Sequence, residues 1–214
     1  MTDAPTHEST ETIGFTGHEL LALLSFNPGA ASDASRKALR LPEVEGNELL
    51  GAGYATLVVR ELLQLQDGSA VPTGGAARVT AVLTTADRWV EVGVVSIDAS
   101  RSNIFISSET AGTVLLGARG FGIYDITPVE GGSDALDQAI EQARSALEAG
   151  ELGAPAAASV VVTTLESGSR TASIRTVGEG RWELASEPYD EQGQLTVREV
   201  APEQAFEDFA GALR

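Results

Sequence analysis

Three carboxylates share one face of a predicted helix and have the spacing best suited to metal-dependent chemistry. Asp134, Asp137 and Glu141 occupy positions i, i+3 and i+7 of the segment 133–147, whose N-cap is predicted to be Ser133. Two or three carboxylate oxygens on one side of a helix can bind a divalent cation. Acidic residues near a helix start also stabilise it through the helix dipole, with no ligand. The second interpretation is the simpler one, and a carboxylate-dependent metal enzyme is kept as an alternative.

Other residue types with catalytic potential are scarce. The chain has no cysteine, which excludes disulfides, thiolate catalysis and cysteine-ligated metal sites. Its two histidines are His7, near the N-terminus, and His18, which is explained as part of a helix start. No serine stands in the G-x-S-x-G context of a nucleophile elbow. The sequence therefore predicts a protein that is not an enzyme and needs no cofactor.

The glycine-rich stretch "GARGFG" at 117–122 is superficially similar to a phosphate-binding loop. Such loops lead into a helix whose free amides face the phosphate, whereas here the strand-like run "IYDI" follows. The stretch is better interpreted as a tight hairpin that places Arg119 and Phe121 near its tip. An aromatic residue at a hairpin tip can contact a partner, so Arg119 and Phe121 are the predicted partner-binding residues. The alternative is that Phe121 folds back into the core.

The charge of the chain limits the classes of partner. There are 14 Lys and Arg residues against 31 Asp and Glu, a net charge of −17, which repels phosphate backbones and anionic lipid surfaces. No run approaches the roughly 20 apolar residues that span a bilayer. The start "MTDAPTHESTETIG" has neither the basic nor the apolar region of a secretory signal. We therefore expect a cytoplasmic protein with a protein partner, no nucleic acid or membrane contact, and a disordered acidic tail over 1–13.

The first part of the chain has helical patterns. Thr16 followed by Glu19 forms a capping-box signature, and Phe15 before the cap can pack on Leu20 as a hydrophobic staple. Two further helices are predicted over about 47–66 and 75–84, the first of them stopped by "QDGS". These helices precede the β-rich part of the chain.

From residue 88 onward, the same order of elements occurs twice. Four short strands over 88–97, 103–108, 113–118 and 121–129 lead into the helix 133–147. Four more over 159–167, 170–178, 180–188 and 194–201 lead into a helix over 202–213. The segment 148–158 is a connector between an N-terminal half, 14–147, and a C-terminal half, 159–214. The prediction is an α+β domain in which two related ββββα halves build antiparallel sheet, with additional N-terminal helices.

This order of elements resembles the EspG family, cytosolic chaperones of the type VII (ESX) secretion system of actinobacteria. The resemblance is carried by "ATLVVRELLQLQDGSAVPTGGAARVTAVLTTADRWVEV" and by "SIRTVGEGRWELAS", and it spans about residues 15–214. It implies a pseudo-two-fold α+β fold with a shared central sheet. It also implies a non-catalytic protein that binds the helical tip of PE–PPE substrate pairs. No binding residue is transferred from the family to this sequence.

Three functional hypotheses follow. The first is a non-catalytic cytoplasmic chaperone or adaptor for a helical secreted substrate, either PE–PPE or WXG100-like. The second is a carboxylate-dependent metal-binding enzyme that uses Asp134, Asp137 and Glu141. The third is an acidic interaction or immunity domain that neutralises a basic partner by charge. We favour the first, because the sequence is poor in reactive groups and rich in sheet and hairpin signals.

Overall fold

The computed structural model describes residues 11–43, 48–132, 134–148, 156–178 and 180–214. Its helices are α1 Gly17–Leu24, α2 Ala30–Ala38, α3 Glu48–Val59, α4 Gly74–Thr85, α5 Ala135–Glu148 and α6 Ala205–Leu213. Its strands are β1 Ile13–Thr16, β2 Leu63–Gln66, β3 Ser69–Pro72, β4 Arg88–Ser96, β5 Ser100–Ser108, β6 Gly112–Gly120, β7 Ile123–Val129, β8 Ala156–Thr164, β9 Gly168–Thr176, β10 Trp182–Tyr189 and β11 Leu195–Val200. The α+β class is confirmed.

Nine of these strands form one antiparallel sheet. Their order is β1-β7-β6-β5-β4-β8-β9-β10-β11, so each run of four strands forms a meander of sequential neighbours. The first strands of the two meanders, β4 and β8, pair along their full length, from Arg88 with Thr164 to Ser96 with Ala156. The two meanders therefore share an edge and build a single large sheet.

One face of the sheet is covered by α5 and α6. Alternating residues of the central strands point towards these helices, including Val90, Val92 and Val94 of β4. They pack with the apolar stripes of α5 and α6, in which Phe209 is fully buried. Each helix follows the last strand of its meander and returns across the same face, so this core joins both halves of the chain.

The opposite face is covered over only part of its width. Helices α1, α2 and α4 pack on β1 and on the first meander, α3 packs on α1, and Trp89 of β4 lies in this second core. Its indole Nε1 donates to Ser35 Oγ at 3.0 Å, and Ser35 Oγ donates to the Leu83 carbonyl at 2.7 Å, which ties β4 to α2 and α4. No residue of β8 to β11 belongs to this core. The second meander therefore has a face without a covering helix in the described part of the chain.

The first described residues agree with their sequence signature. Thr16 N donates to Glu19 Oε2 at 2.7 Å, and Glu19 N donates to Thr16 Oγ1 at 3.2 Å, so the predicted capping box is confirmed. Phe15 and Leu20 are both buried in the same core, as a staple requires. The chain already pairs with β7 at Ile13, the last residue of the predicted acidic tail. Residues 1–10 of that tail lie outside the described residues.

The prediction of one helix over 47–66 is wrong in its second half. Helix α3 ends at Val59 in a Schellman-type cap, in which Leu62 N donates to the Leu57 carbonyl and Glu61 N to the Val58 carbonyl. Glu61 adopts the left-handed conformation, with φ 59°, that glycine usually supplies. The following residues form the β2–β3 hairpin, whose Asp67-Gly68 turn has positive φ at both positions. The "DG" signal therefore marks a hairpin turn rather than a helix end.

A buried ion pair joins the N-terminal elements. The Glu19 side chain is fully buried, and Arg60 Nη1 donates to its two carboxylate oxygens at 2.8 and 2.9 Å. Arg60 Nη2 also donates to the Gly14 carbonyl at 2.9 Å, which connects the residue after α3 to strand β1. One guanidinium group thus holds together the start of α1, the end of α3 and the sheet edge.

We expect Arg60→Ala to lower the free energy of unfolding by about 2–4 kcal/mol, because it leaves the Glu19 carboxylate buried without its counter-ion. The matched control is Arg198→Ala, which removes an exposed pair to Asp208 and should cost at most about 1 kcal/mol. Urea unfolding of both variants measures the difference. Equal losses in the two variants would contradict this role of Arg60.

Candidate functional site

The tip of the β6–β7 hairpin presents an aromatic side chain to solvent. Phe121 has a relative exposure of 106% and φ 52°, and it lies between Gly120 and Gly122, which also have positive φ. A left-handed backbone is costly for a bulky residue, whereas glycine adopts it freely. The alternative in which Phe121 folds back into the core is therefore wrong. The hairpin instead projects the ring away from the protein.

The hairpin tip is held in place on both of its sides. Arg119 makes a two-pronged ion pair with Asp125 across the hairpin, with Nη2–Oδ1 at 2.7 Å and Nε–Oδ2 at 3.0 Å. The amide of Gly17, at the start of α1, donates to the Gly122 carbonyl at 2.8 Å. Arg119 thus fixes the tip, and Phe121 is displayed on a backbone that is anchored to β7 and α1.

A second apolar turn stands at the same end of the sheet. Strands β4 and β6 run in the same direction because each is antiparallel to β5, so the β4–β5 and β6–β7 turns share one end. Ile97 in the first turn is 77% exposed, and Val95 before it is 51% exposed. The two turns are two strand spacings apart, about 10 Å. We call Val95, Ile97 and Phe121 the tip surface.

Sequence reasoning identified Phe121 but missed Val95 and Ile97. Strand alternation places Val95 on the face opposite Val90, Val92 and Val94, and Ile97 follows β4 in the turn. Alternation alone does not predict whether a helix covers that face of the sheet near the β4–β5 turn. Their exposure follows from the position of α1 to α4 in the fold, which no short sequence pattern encodes.

A small cleft lies on the face of the sheet that α1 to α4 partly cover, near the β6–β7 hairpin. Its volume is about 130 Å³, between the end of α2 and strands β4 to β7. Arg40 Nη2 donates to Glu91 Oε1 at 2.6 Å, and the Tyr124 hydroxyl donates to the Leu39 carbonyl at 2.9 Å. Burial raises the pKa of the Tyr124 hydroxyl, and the nearby Arg40 charge partly offsets that shift. The cleft closes the junction between α2 and the sheet and is too small to hold a substrate of ordinary size.

The three carboxylates of α5 each have a cationic partner of their own. Asp134 Oδ2 pairs with Arg88 at 2.7 Å, Asp137 pairs with Arg214, and Glu141 lies 3.6 Å from Arg144. Asp134 Oδ1 also accepts the amide of Leu136 at 2.8 Å, as a residue that caps the helix start does. The predicted cap Ser133 lies outside the described residues. This arrangement supports the helix-stabilising interpretation of the acidic stripe.

The remaining candidate groups are not assembled into a site. His18 is exposed in the first turn of α1, and His7 lies outside the described residues. Within the described ranges, no group of three or more His, Cys, Asp or Glu residues is placed to hold a metal ion. The helices in the described part of the chain also include none with the length and apolar character that a bilayer span requires.

Comparisons with known proteins add no relative. Neither the protein-family models nor the curated proteins give a match to this chain.

We expect Phe121→Gly to be at least as stable as wild type, and more stable than Phe121→Ala by about 1 kcal/mol. Neither variant loses buried area, and glycine removes the left-handed strain that alanine retains. Thermal and urea unfolding of the two variants measure this order. A Phe121→Gly variant less stable than Phe121→Ala would contradict backbone strain at this position.

The raised pKa of Tyr124 makes the fold sensitive to alkaline pH. A hydroxyl whose pKa is higher in the folded than in the unfolded chain contributes its full stability below the unfolded value of about 10. That contribution is lost as pH rises through the folded pKa. We therefore expect the stability difference between wild type and Tyr124→Phe to decrease above about pH 10. A pH-independent difference in urea unfolding would contradict the shift.

Proposed function

We propose that this protein is a non-catalytic adaptor that binds a helical segment of another protein through the tip surface. The observation that carries the proposal is Phe121, which is fully exposed in a strained backbone conformation on a firmly anchored hairpin. A phenyl ring held out in this way has no role in the core. A partner that buries it would recover the hydrophobic free energy of an aromatic side chain, about 1.5–3 kcal/mol.

The spacing of the tip surface favours a helical partner. Ile97 and Phe121 stand on turns about 10 Å apart, which matches two turns of an α-helix at 1.5 Å per residue. Two apolar side chains at i and i+7 of a partner helix would meet them. Arg119 lies beside Phe121 and supplies a polar contact at the margin of this surface.

The resemblance to the EspG family indicates which class of protein the partner belongs to. In our proposal, the protein acts in the cytoplasm as a chaperone of a type VII secretion system. Its partner is then a secreted helical substrate, either a PE–PPE pair or a WXG100-like protein. The resemblance implies binding to the helical tip of such a substrate, and exposed apolar strand tips suit the task of covering an apolar helix surface.

The proposal extends to the origin of the fold: we infer that the two meanders with their helices are related halves. Supporting this, the meanders run outward in the same strand order from the β4–β8 pair. An offset of about 72 residues also brings Leu136 near Phe206 and Ile140 near Phe209, and all four side chains are buried in the core under α5 and α6. In this view α1 to α4 were added to one half only.

The enzymatic alternative has no observation in its favour. Asp134, Asp137 and Glu141 are each engaged by a different arginine, so their oxygens do not converge. Titration calorimetry with magnesium, manganese and calcium tests it directly. A stoichiometric heat of binding that Asp137→Asn abolishes would revive that alternative.

The test of the adaptor function is co-expression with a helical PE–PPE or WXG100-like pair, followed by pull-down and affinity measurement. We expect Phe121→Ala to weaken binding by a factor of about 30, the loss typical of an aromatic at the centre of an interface. Ile97→Ala should weaken it less, because the side chain is smaller.

The matched control is Leu165→Ala. Leu165 is 50% exposed in the β8–β9 turn, at the opposite end of the sheet from Phe121. Its replacement should leave the affinity unchanged. Equal weakening by Leu165→Ala and Phe121→Ala, or none by either, would refute binding through the tip surface.

A further inference from the structure

A second candidate surface, with acidic walls, lies on the face of the sheet that α5 and α6 cover. Helices α5 and α6 lie side by side and antiparallel: Arg214 after α6 pairs with Asp137 near the start of α5, and Arg144 near the end of α5 lies over Phe206. Between them runs an open groove of about 670 Å³. We call this the α5–α6 groove.

The α5–α6 groove has an apolar floor and acidic walls. Its floor is formed by Ile140, Phe206 and Ala210. Its charged lining consists of five carboxylates and two guanidinium groups: Asp137, Glu141, Glu148, Glu203, Glu207, Arg144 and Arg214. The side chains that line the groove therefore have a net charge of −3.

The contacts of the two arginines in the groove show that its lining binds guanidinium groups. The Arg144 guanidinium lies 5.1 Å from the centre of the Phe206 ring and 3.6 Å from Glu141, and Arg214 pairs with Asp137. A cation over an aromatic ring beside a carboxylate is a favourable arrangement for any basic side chain. Three further carboxylates of the lining, Glu148, Glu203 and Glu207, make no ion pair with another described residue. They offer the same interaction to an external cation.

We propose that the α5–α6 groove binds a basic amphipathic helix of a partner protein. Asp137 and Glu148 mark the two ends of the acidic wall on α5, eleven residues or about 16 Å apart, which is the length of about three helical turns. A third helix can pack between two neighbours at 8–10 Å. Its apolar edge would face the floor while lysines or arginines on both flanks face the walls.

The negative charge of the groove favours a basic helix over other occupants. A second copy of the chain would bring a protein of net charge −17 against an acidic groove. Nucleic acids and anionic lipids are excluded by the same sign. The N-terminal residues 1–10 contain no lysine or arginine, so they cannot supply the basic flank. The complementary partner is a basic helix from another protein.

The experiment uses a labelled synthetic peptide of about four turns, with leucines at i, i+4 and i+7 and lysines on both flanks, added to the full-length protein. A peptide with glutamate in place of each lysine is the peptide control. We expect fluorescence anisotropy to show saturable binding of the lysine peptide only, weakening several-fold between about 50 and 200 mM salt. Binding of both peptides, or of neither, would overturn the proposal.

The location is tested with Glu203→Gln/Glu207→Gln, which removes two charges from the groove wall. Its matched control is Glu109→Gln/Glu191→Gln, which removes two exposed charges from turns outside the groove. The groove variant should weaken peptide binding by about three- to tenfold, and the control by less than about twofold. Equal weakening by both variants would show that only the overall charge matters.

This site is independent of the tip surface. Phe121 lies at a strand tip, while the α5–α6 groove lies between helices that pack on the sheet face, so Phe121→Ala should bind the lysine peptide as wild type does. A loss of peptide binding in Phe121→Ala would contradict the proposed location. If the wild-type protein does not bind the helical PE–PPE or WXG100-like pair but does bind the lysine peptide, the tip-surface proposal fails and the groove proposal stands.

Discussion

The pairing of β4 with β8 is the constraint on which the rest of the structure depends. Because these strands pair along nine residues, two meanders that are far apart in sequence become one sheet. The shared sheet gives α5 and α6 a common face to cover, and their side chains close a single core across the junction. Without that pairing, each meander would expose an edge strand and only half of a core.

The same constraint explains where the protein has free surface. Helices α1 to α4 precede β4 and cover the first meander, with the buried Glu19–Arg60 pair holding their arrangement. Among the described residues, no helix covers the corresponding face of the second meander, and the turns of the first meander extend past the covered area. The tip surface follows from this limited coverage, and the α5–α6 groove follows from the packing of two helices side by side on the opposite face. They lie on different parts of the protein and have different character, one apolar and one acidic.

Much of the fold could be predicted from the sequence because its local signals agree with its tertiary structure. The Thr16–Glu19 capping box and both runs of four strands are such signals. The end of α3 could not be predicted, because its cap uses Glu61 in a conformation that usually identifies glycine. At the candidate site, the glycines around Phe121 were sufficient to predict a hairpin tip. The exposure of Ile97 could not be predicted, because it depends on how far α1 to α4 extend across the sheet.

The central claim is that the strand tips, rather than a cleft, are where this protein acts on its partner. Hydrogen–deuterium exchange of the protein with and without a bound helical pair measures this most directly. We expect the amides of the β4–β5 turn around Ile97 and of the β6–β7 turn around Phe121 to become protected together in the complex. Unchanged exchange at both turns, with protection confined to the opposite end of the sheet around Leu165, would contradict it.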